Sequence, residues 1–243
     1  MEQAEIIVGY TTYVDLIRPL IQDKKVISTA MTKEVQRVNG AIDAACKGRT
    51  VALVSSGDSG IYAMAGLVWE LCQARNVTIV PRQKERGISG SIAVEVVPGI
   101  PALCAGAALL GAPLTHDFAV ISLSDLLTPW EVIEKRIAAA AQADFVLVIY
   151  NPGSKKRIHH LGRAGELILQ YRNGHTPVGI VTGAMRPNQA VRITTLDKMG
   201  NMPIDMQTIV FVGNSTTRQA GVFLHTLRGY GEKYNIASPN SSR

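Results

Sequence analysis

Residues 51–62, VALVSSGDSGIY, join a short β-branched run to a turn made of serine and glycine. Within it, Gly57-Asp58-Ser59-Gly60 carries the same four letters that surround the nucleophilic serine of chymotrypsin-like proteases. A serine hydrolase needs an activating histidine oriented by a carboxylate, and its serine stands on a strained turn or in an oxyanion-forming loop. Here Ile61 stands where the protease signature doubles its glycine, and G-x-S-x-G is absent. The stretch therefore reads as a buried strand running into a small-residue loop, with Ser59 at a helix start.

The segments around it repeat that pattern. AEIIVG leads into 10–21, KVIS into 31–47, TVALVS into 59–74 and IAVEVV into 101–110, which is the βαβα rhythm of a parallel sheet covered by helices. On the second of these helices Val35, Val38, Ile42 and Cys46 recur at helical spacing and predict one buried stripe. After LLGAPLTHD the rhythm restarts with FAVISL, a helix at 129–142, DFVLVIY, a helix near 157–171, PVGIVT, AVRITTL and QTIVFVG. The fold class is α/β, in two α/β domains with an interdomain cleft: 1–114, then 115–235, then a disordered tail 236–243. Thr128-Pro129-Trp130-Glu131 predicts a capping box with proline at the first helical position. Residues 81–91, PRQKERGISGS, read as a mobile surface insertion.

Bulk properties narrow the function classes. A chain of 243 residues, 47% hydrophobic, buries a sizeable core. No apolar run reaches the roughly 18 residues needed to span a bilayer, and MEQAEII is not a signal peptide, so the expected location is the cytoplasm, with no membrane partner. Three widely spaced cysteines, Cys46, Cys72 and Cys104, fit reduced thiols. The charge of +6 suits a small polyanion better than nucleic acid, because only 5% of residues are aromatic and no dense basic stripe appears.

In open α/β sheets ligands gather at the carboxyl ends of strands. Four loops are predicted there: Ser56–Gly60, Pro98–Ala102, Tyr150–Gly153 and Gly213–Thr217. No phosphate loop and no G-x-G-x-x-G accompanies them, and no residue set reads as a metal site. His159 and His160 are adjacent and would point about 100° apart on a helix, so they read as a solvated pair.

With these loops the chain resembles the tetrapyrrole (corrin and porphyrin) methylases. The resemblance covers residues 2 to 230 and is carried by IVGYTTYVDLIRPL, VALVSSGDSGIYAMAGLVWEL, VVPGIPA, GAPLTHDFAVISLSDLLTPWEVIEKR, ADFVLVIYNPGSKKR and VFVGNSTTR. The SLSDLLTPW run points to the branch acting at carbon 17 of precorrin-3B or cobalt-precorrin-3. The resemblance implies S-adenosylmethionine-dependent methylation there, with ring contraction to the precorrin-4 level in cobalamin biosynthesis. Alternatives are another regiochemistry or a catalytically impaired binding or assembly protein. It implies a homodimer and assigns the cofactor S-adenosyl-L-methionine to Gly57, Asp58, Ile61, Pro101, Ala102, Asn151 and Gly183. For the polycarboxylate tetrapyrrole the candidate contacts are Lys155, Lys156, Arg157, Arg186 and Arg218. Asp125, His116 and Asp117 are the candidate acid–base groups. Family members open with a strand and a G-x-G-P-G loop, so the first strand and glycine-rich loop are expected to be missing from this sequence.

Overall fold

Alternate residues of a strand face opposite sides of its sheet, so a run such as IIVGY forms an interior strand only if both sides are covered. In the computed structural model, which describes residues 1–81, 90–154 and 157–234, that condition is met at β1 (Ile6–Tyr10). Contacts divide the chain into two units, Met1–Pro101 and Ala102–Arg243.

In the first unit β1 lies between β2 (Lys25–Thr29) and β3 (Val51–Val54), all parallel. One face of β1 puts Ile7 against Val14 and Ile21, from α1 (Thr11–Leu16) and the segment that follows it. The other puts Ile6 and Val8 against Ala41 and Ala44 of α2 (Glu34–Cys46). The predicted stripe on α2 is only half realised: Val38 and Ile42 are buried, whereas Val35 and Cys46 are exposed. Ala41 and Ala44 take inward positions because small side chains let the helix lie close to the sheet, and Arg37 is buried with its guanidinium donating to Thr29 Oγ1 and the Ala30 carbonyl. The third helix, α3 (Met64–Ala74), starts later than expected. Residues 55–63 form an irregular loop in which Tyr62 adopts φ +51, so Ser59 is a loop residue whose carbonyl accepts from the Ala65 N–H at 2.9 Å. A separate parallel pair, β4 (Thr78–Pro81) and β5 (Ser91–Val94), completes the unit. Most of the predicted 81–91 insertion lies outside the described residues, as do Lys155, Lys156 and the predicted tail.

The second unit begins with α4 (Ala102–Leu110). Gly106 lies flat on the Phe211 ring, and Leu110 fills the space left by Gly179, where a Cβ would come within 2.5 Å. These contacts put the helix with the second unit, ahead of the expected boundary at 114. Its sheet has the order β10-β9-β11-β8-β7, where β7 is Phe118–Ser122, β8 Val146–Tyr150, β9 Pro177–Thr182, β10 Ala190–Thr195 and β11 Thr208–Val212. Strands β7 and β8 are parallel, but β11 runs antiparallel to both β8 and β9, and β10 antiparallel to β9. On one face Val210 and Val212 join a core with Ile133 and Ile137 of α5 (Trp130–Gln142) and with Leu161, Ala164 and Ile168 of α6 (His160–Leu169). A short sheet, β12 (Thr217–Ala220), β13 (Phe223–Thr226) and β6 (Gly111–Ala112), and α7 (Tyr230–Tyr234) finish it.

The predicted capping box does not form. Helix α5 starts at Trp130 with Pro129 as the cap, and no side chain accepts from its first turn. The proline's extended backbone, ψ 141, closes the helix through its own carbonyl, which accepts from the Val132 and Ile133 N–H groups.

Candidate functional site

In the first unit two strand-end loops are fastened together by one side chain. Asp58 Oδ1 accepts the Gly60 N–H at 2.7 Å, and Oδ2 accepts the Gly99 N–H at 2.9 Å. These two backbone bonds hold the Asp58 carboxyl below the usual carboxylate range, the Gly99 bond acting most strongly, against a smaller opposing effect of burial. Asp58 caps no helix. Gly99 meets the other loop so closely that a Cβ would stand 2.1 Å from the Gly57 carbonyl oxygen, and Gly57 itself has φ +73. Only glycine permits that approach. Ile61 is half-buried in the same loop, and Pro101 closes the second one.

In the second unit the parallel strands bring three segments to one end of the sheet. Ser122 ends β7 and Asn151 follows β8, with Asn151 Nδ2 donating to Ser122 Oγ at 2.9 Å from a left-handed backbone, φ +51. Gly183 follows β9 at φ +58, and Arg186 stands in the turn from β9 to β10, its N–H bonded to the Gly183 carbonyl. The Tyr150 hydroxyl accepts the Leu103 N–H at 2.9 Å and ties this end to the start of α4, where Ala102 lies. Arg157 is buried, and its Nε has no hydrogen-bond partner. A buried N–H donor with no acceptor is costly, and a ligand oxygen could satisfy it.

At this end too, Asp125 Oδ2 lies 3.1 Å from His160 Nε2. The hydrogen bond to His160 is the main cause that lowers the Asp125 carboxyl, with the Arg157 charge adding to it. His160 is therefore a paired group with a side chain 20% exposed, where the sequence predicts a solvated pair. Nothing in the primary spacing of Asp125 and His160 marks the contact, which exists because the loop after β7 meets the start of α6.

The remaining candidates lie at the opposite end. His116 and Asp117 precede β7, and the Asp117 carbonyl accepts from the Val146 N–H at the start of β8. Because β11 is antiparallel, its carboxyl end meets the amino ends of β8 and β9, so the Gly213–Thr217 loop lies at the end of the sheet away from Tyr150–Gly153. Ser215 binds the Asp144 carboxylate, and Arg218 donates to the Ser215 and Thr217 carbonyls. Beneath them Arg172 donates to the carbonyls of Gly213 and Phe145. An open cavity of about 550 Å³ lies here, lined by Asp144, Arg172, His175, Ser215 and Arg218 among others. The structure thus gathers Asp125, Asn151, Arg157, Gly183 and Arg186 at one end of the second sheet and leaves His116, Asp117 and Arg218 at the other. Among the described residues no cluster of histidine, cysteine or carboxylate side chains could hold a metal ion.

A family model described as tetrapyrrole (corrin/porphyrin) methylases matches residues 1–200. The chain belongs to that family. A cobalt-factor III methyltransferase of Priestia megaterium is 47% identical over 97% of this chain, which spans only 42% of that relative. A probable cobalt-factor III C(17)-methyltransferase of Salmonella typhimurium is 49% identical over 95% of this chain and 90% of its own length. Among solved structures, the methyltransferase CobJ superposes with a TM-score of 0.81 at 36% identity, covering 93% of this chain and 90% of that one. This tetrapyrrole methylase therefore shares both sequence and fold with enzymes of corrin assembly.

Proposed function

We propose that this methylase transfers a methyl group from S-adenosylmethionine to carbon 17 of a cobalt-factor III or precorrin-3B type macrocycle in cobalamin biosynthesis, with ring contraction. The observation that carries the reading is the match at 49% identity to a C(17)-methyltransferase that this chain spans nearly end to end. When bound, S-adenosylmethionine supplies an electrophilic methyl, and the macrocycle carbon is already electron-rich, so the protein's task is to align the two in a dry site.

The residues present suit such a cofactor. The close approach of Gly99 to Gly57 fixes the two loops of the first unit against each other, and Asn151 and Gly183 make left-handed turns at the end of the second sheet. Gly57, Asp58, Ile61 and Pro101 in the first unit and Ala102, Asn151 and Gly183 in the second are the residues we assign to holding it. Arg157 and Arg186 are assigned to the macrocycle's carboxylates, Arg157 because its buried Nε has no hydrogen-bond partner among the described residues. Arg218, His116 and Asp117, at the far end of the second sheet, are left out of this assignment. A cytoplasmic location is supported by the free thiols of Cys46, Cys72 and Cys104, and no described helix is long and apolar enough to cross a membrane. A homodimer is proposed on the family resemblance, to be read as twice 26.1 kDa in sedimentation.

The test is to incubate the purified protein with S-adenosylmethionine and cobalt-factor III and to locate the added methyl by mass spectrometry and carbon-13 NMR. Addition at carbon 17 is the expected result. Methylation elsewhere overturns the regiochemistry, and failure to bind S-adenosylhomocysteine in calorimetry overturns the enzymatic reading.

A further inference from the structure

The proton that leaves the macrocycle during methylation needs an acceptor, and the expected acid–base candidates give no base at the right place. His116 and Asp117 lie at the wrong end of the sheet, and Asp125 is held in its ionised form by its neighbours. We propose that His160 is the proton acceptor of this site and that Asp125 is its positioning residue. The proposal rests on the methyltransferase reading above.

Three observations carry it. First, Asp125 is an acceptor-only carboxylate, so the 3.1 Å contact requires the proton on His160 Nε2. Neutral His160 then presents Nδ1 as a bare lone pair, and no described group hydrogen-bonds to that atom. Secondly, the ring is held from its other side. The Trp130 indole meets it edge-to-face, with centroids 4.6 Å apart at 69°. Trp130 Nε1 donates to Glu134 Oε1 at 2.9 Å, and Glu134 Oε1 accepts Arg163 Nε at 3.0 Å. Arg163 lies on α6, one turn beyond His160, so contacts through two helices close on themselves around the imidazole. Such fixing is what a base must have to meet one proton in one direction. Thirdly, the pair sits at the end of the sheet that holds Asn151 and Gly183, with the Arg157 charge close enough to act on Asp125.

The step balances simply. Carbon 17 gains the methyl as the S–CH3 bond breaks, which leaves the macrocycle one positive charge richer; the macrocycle then loses one proton to Nδ1, and the electrons of the broken bond to hydrogen stay with the ring and restore its charge. The resulting imidazolium is neutralised by the Asp125 carboxylate and yields the proton to water through the exposed edge of the ring. Among the described residues, the charged groups that face this centre are Asp125 after β7, Arg157 after β8, Glu134 on α5, and Arg163 and Glu166 on α6.

The test has two readouts. Nitrogen-15 histidine NMR of the wild-type protein should show His160 protonated at Nε2 and bare at Nδ1, with Nδ1 shifting when cobalt-factor III is added. In assays with S-adenosylmethionine and cobalt-factor III, His160→Gln should lower kcat by about 10²- to 10⁴-fold and abolish the acid limb of the pH profile of kcat/KM. Its S-adenosylhomocysteine affinity should be unchanged. Asp125→Asn should lower kcat while leaving S-adenosylhomocysteine affinity unchanged, and free imidazole should partly restore a His160→Ala variant. A proton found on Nδ1, or a His160→Gln protein that keeps the limb and turns over within about threefold of wild type, overturns the proposal. A wild-type protein that binds the cofactor product yet methylates no tetrapyrrole overturns the methyltransferase reading, and this proposal with it.

Discussion

Gly99 and Asp58 show how much one pair of residues can decide. A methyl group on Gly99 would meet the backbone oxygen of Gly57 at 2.1 Å, and no side chain can swing away to make room. Gly99→Ala should therefore cost more than about 2 kcal/mol in urea unfolding, as backbone clashes at close contacts do. Asp58 makes the same contact dependent on pH. Its folded carboxyl is held below its unfolded value by bonds from Gly99 and Gly60, so its contribution is fully present above the unfolded value. That contribution is lost as the pH falls through the folded value. Asp58→Asn should melt lower than wild type at neutral pH, and the two melting curves should converge in acid, below the ordinary carboxylate range. A gap that stays constant down to that range would mean that the carboxylate does not fasten the loops. The sequence marked Gly57 and Asp58 as important, but for contact with a ligand. That they also clamp a second loop depends on a partner at Gly99, far along the chain, which no local spacing discloses.

At the scale of elements, hydrophobic alternation marked most strands and helices, since it is set by which faces are covered. Direction was harder to read. TIVFV has the composition of its neighbours, yet β11 runs antiparallel to β8 and β9, because the β9–β10 hairpin reverses the chain and the short helical segment Leu196–Asn201 carries it across to the other side of β9. That reversal removed Arg218 from the candidate site and made the Gly213–Thr217 loop structural. Arg172 is the measure of its importance there: its side chain is 3% exposed and donates to the carbonyls of Gly213 and Phe145. Arg172→Met would keep the volume but strand those acceptors, and should cost about 2–4 kcal/mol in urea unfolding while leaving S-adenosylhomocysteine affinity within about twofold. Loss of affinity in step with stability would show that the two ends of the sheet are coupled. His160 escaped the sequence reading for a related reason: its partner is brought to it by neighbouring elements rather than by spacing.

For the molecule as a whole, the first unit is the less finished of the two. Its three-stranded and two-stranded sheets share no ladder among the described residues, and β3 is only partly buried along its length, unlike β1. On α3, an apolar helix, Cys72 is the one described residue fully buried. A further parallel strand beside β3 would pair open backbone groups and cover these side chains.

The antiparallel course of β11 has a practical side. It gives the second unit two ends that can be addressed independently by labels. A fluorophore on Gln219→Cys, at the exposed structural end, would follow unfolding and stay silent to ligands. One on Leu127→Cys, a fully solvent-facing position just past Asp125, would brighten or dim as a macrocycle arrives. Two separately labelled proteins, each made with the exposed Cys46 and Cys104 replaced, could report whether the protein is folded and whether it is occupied.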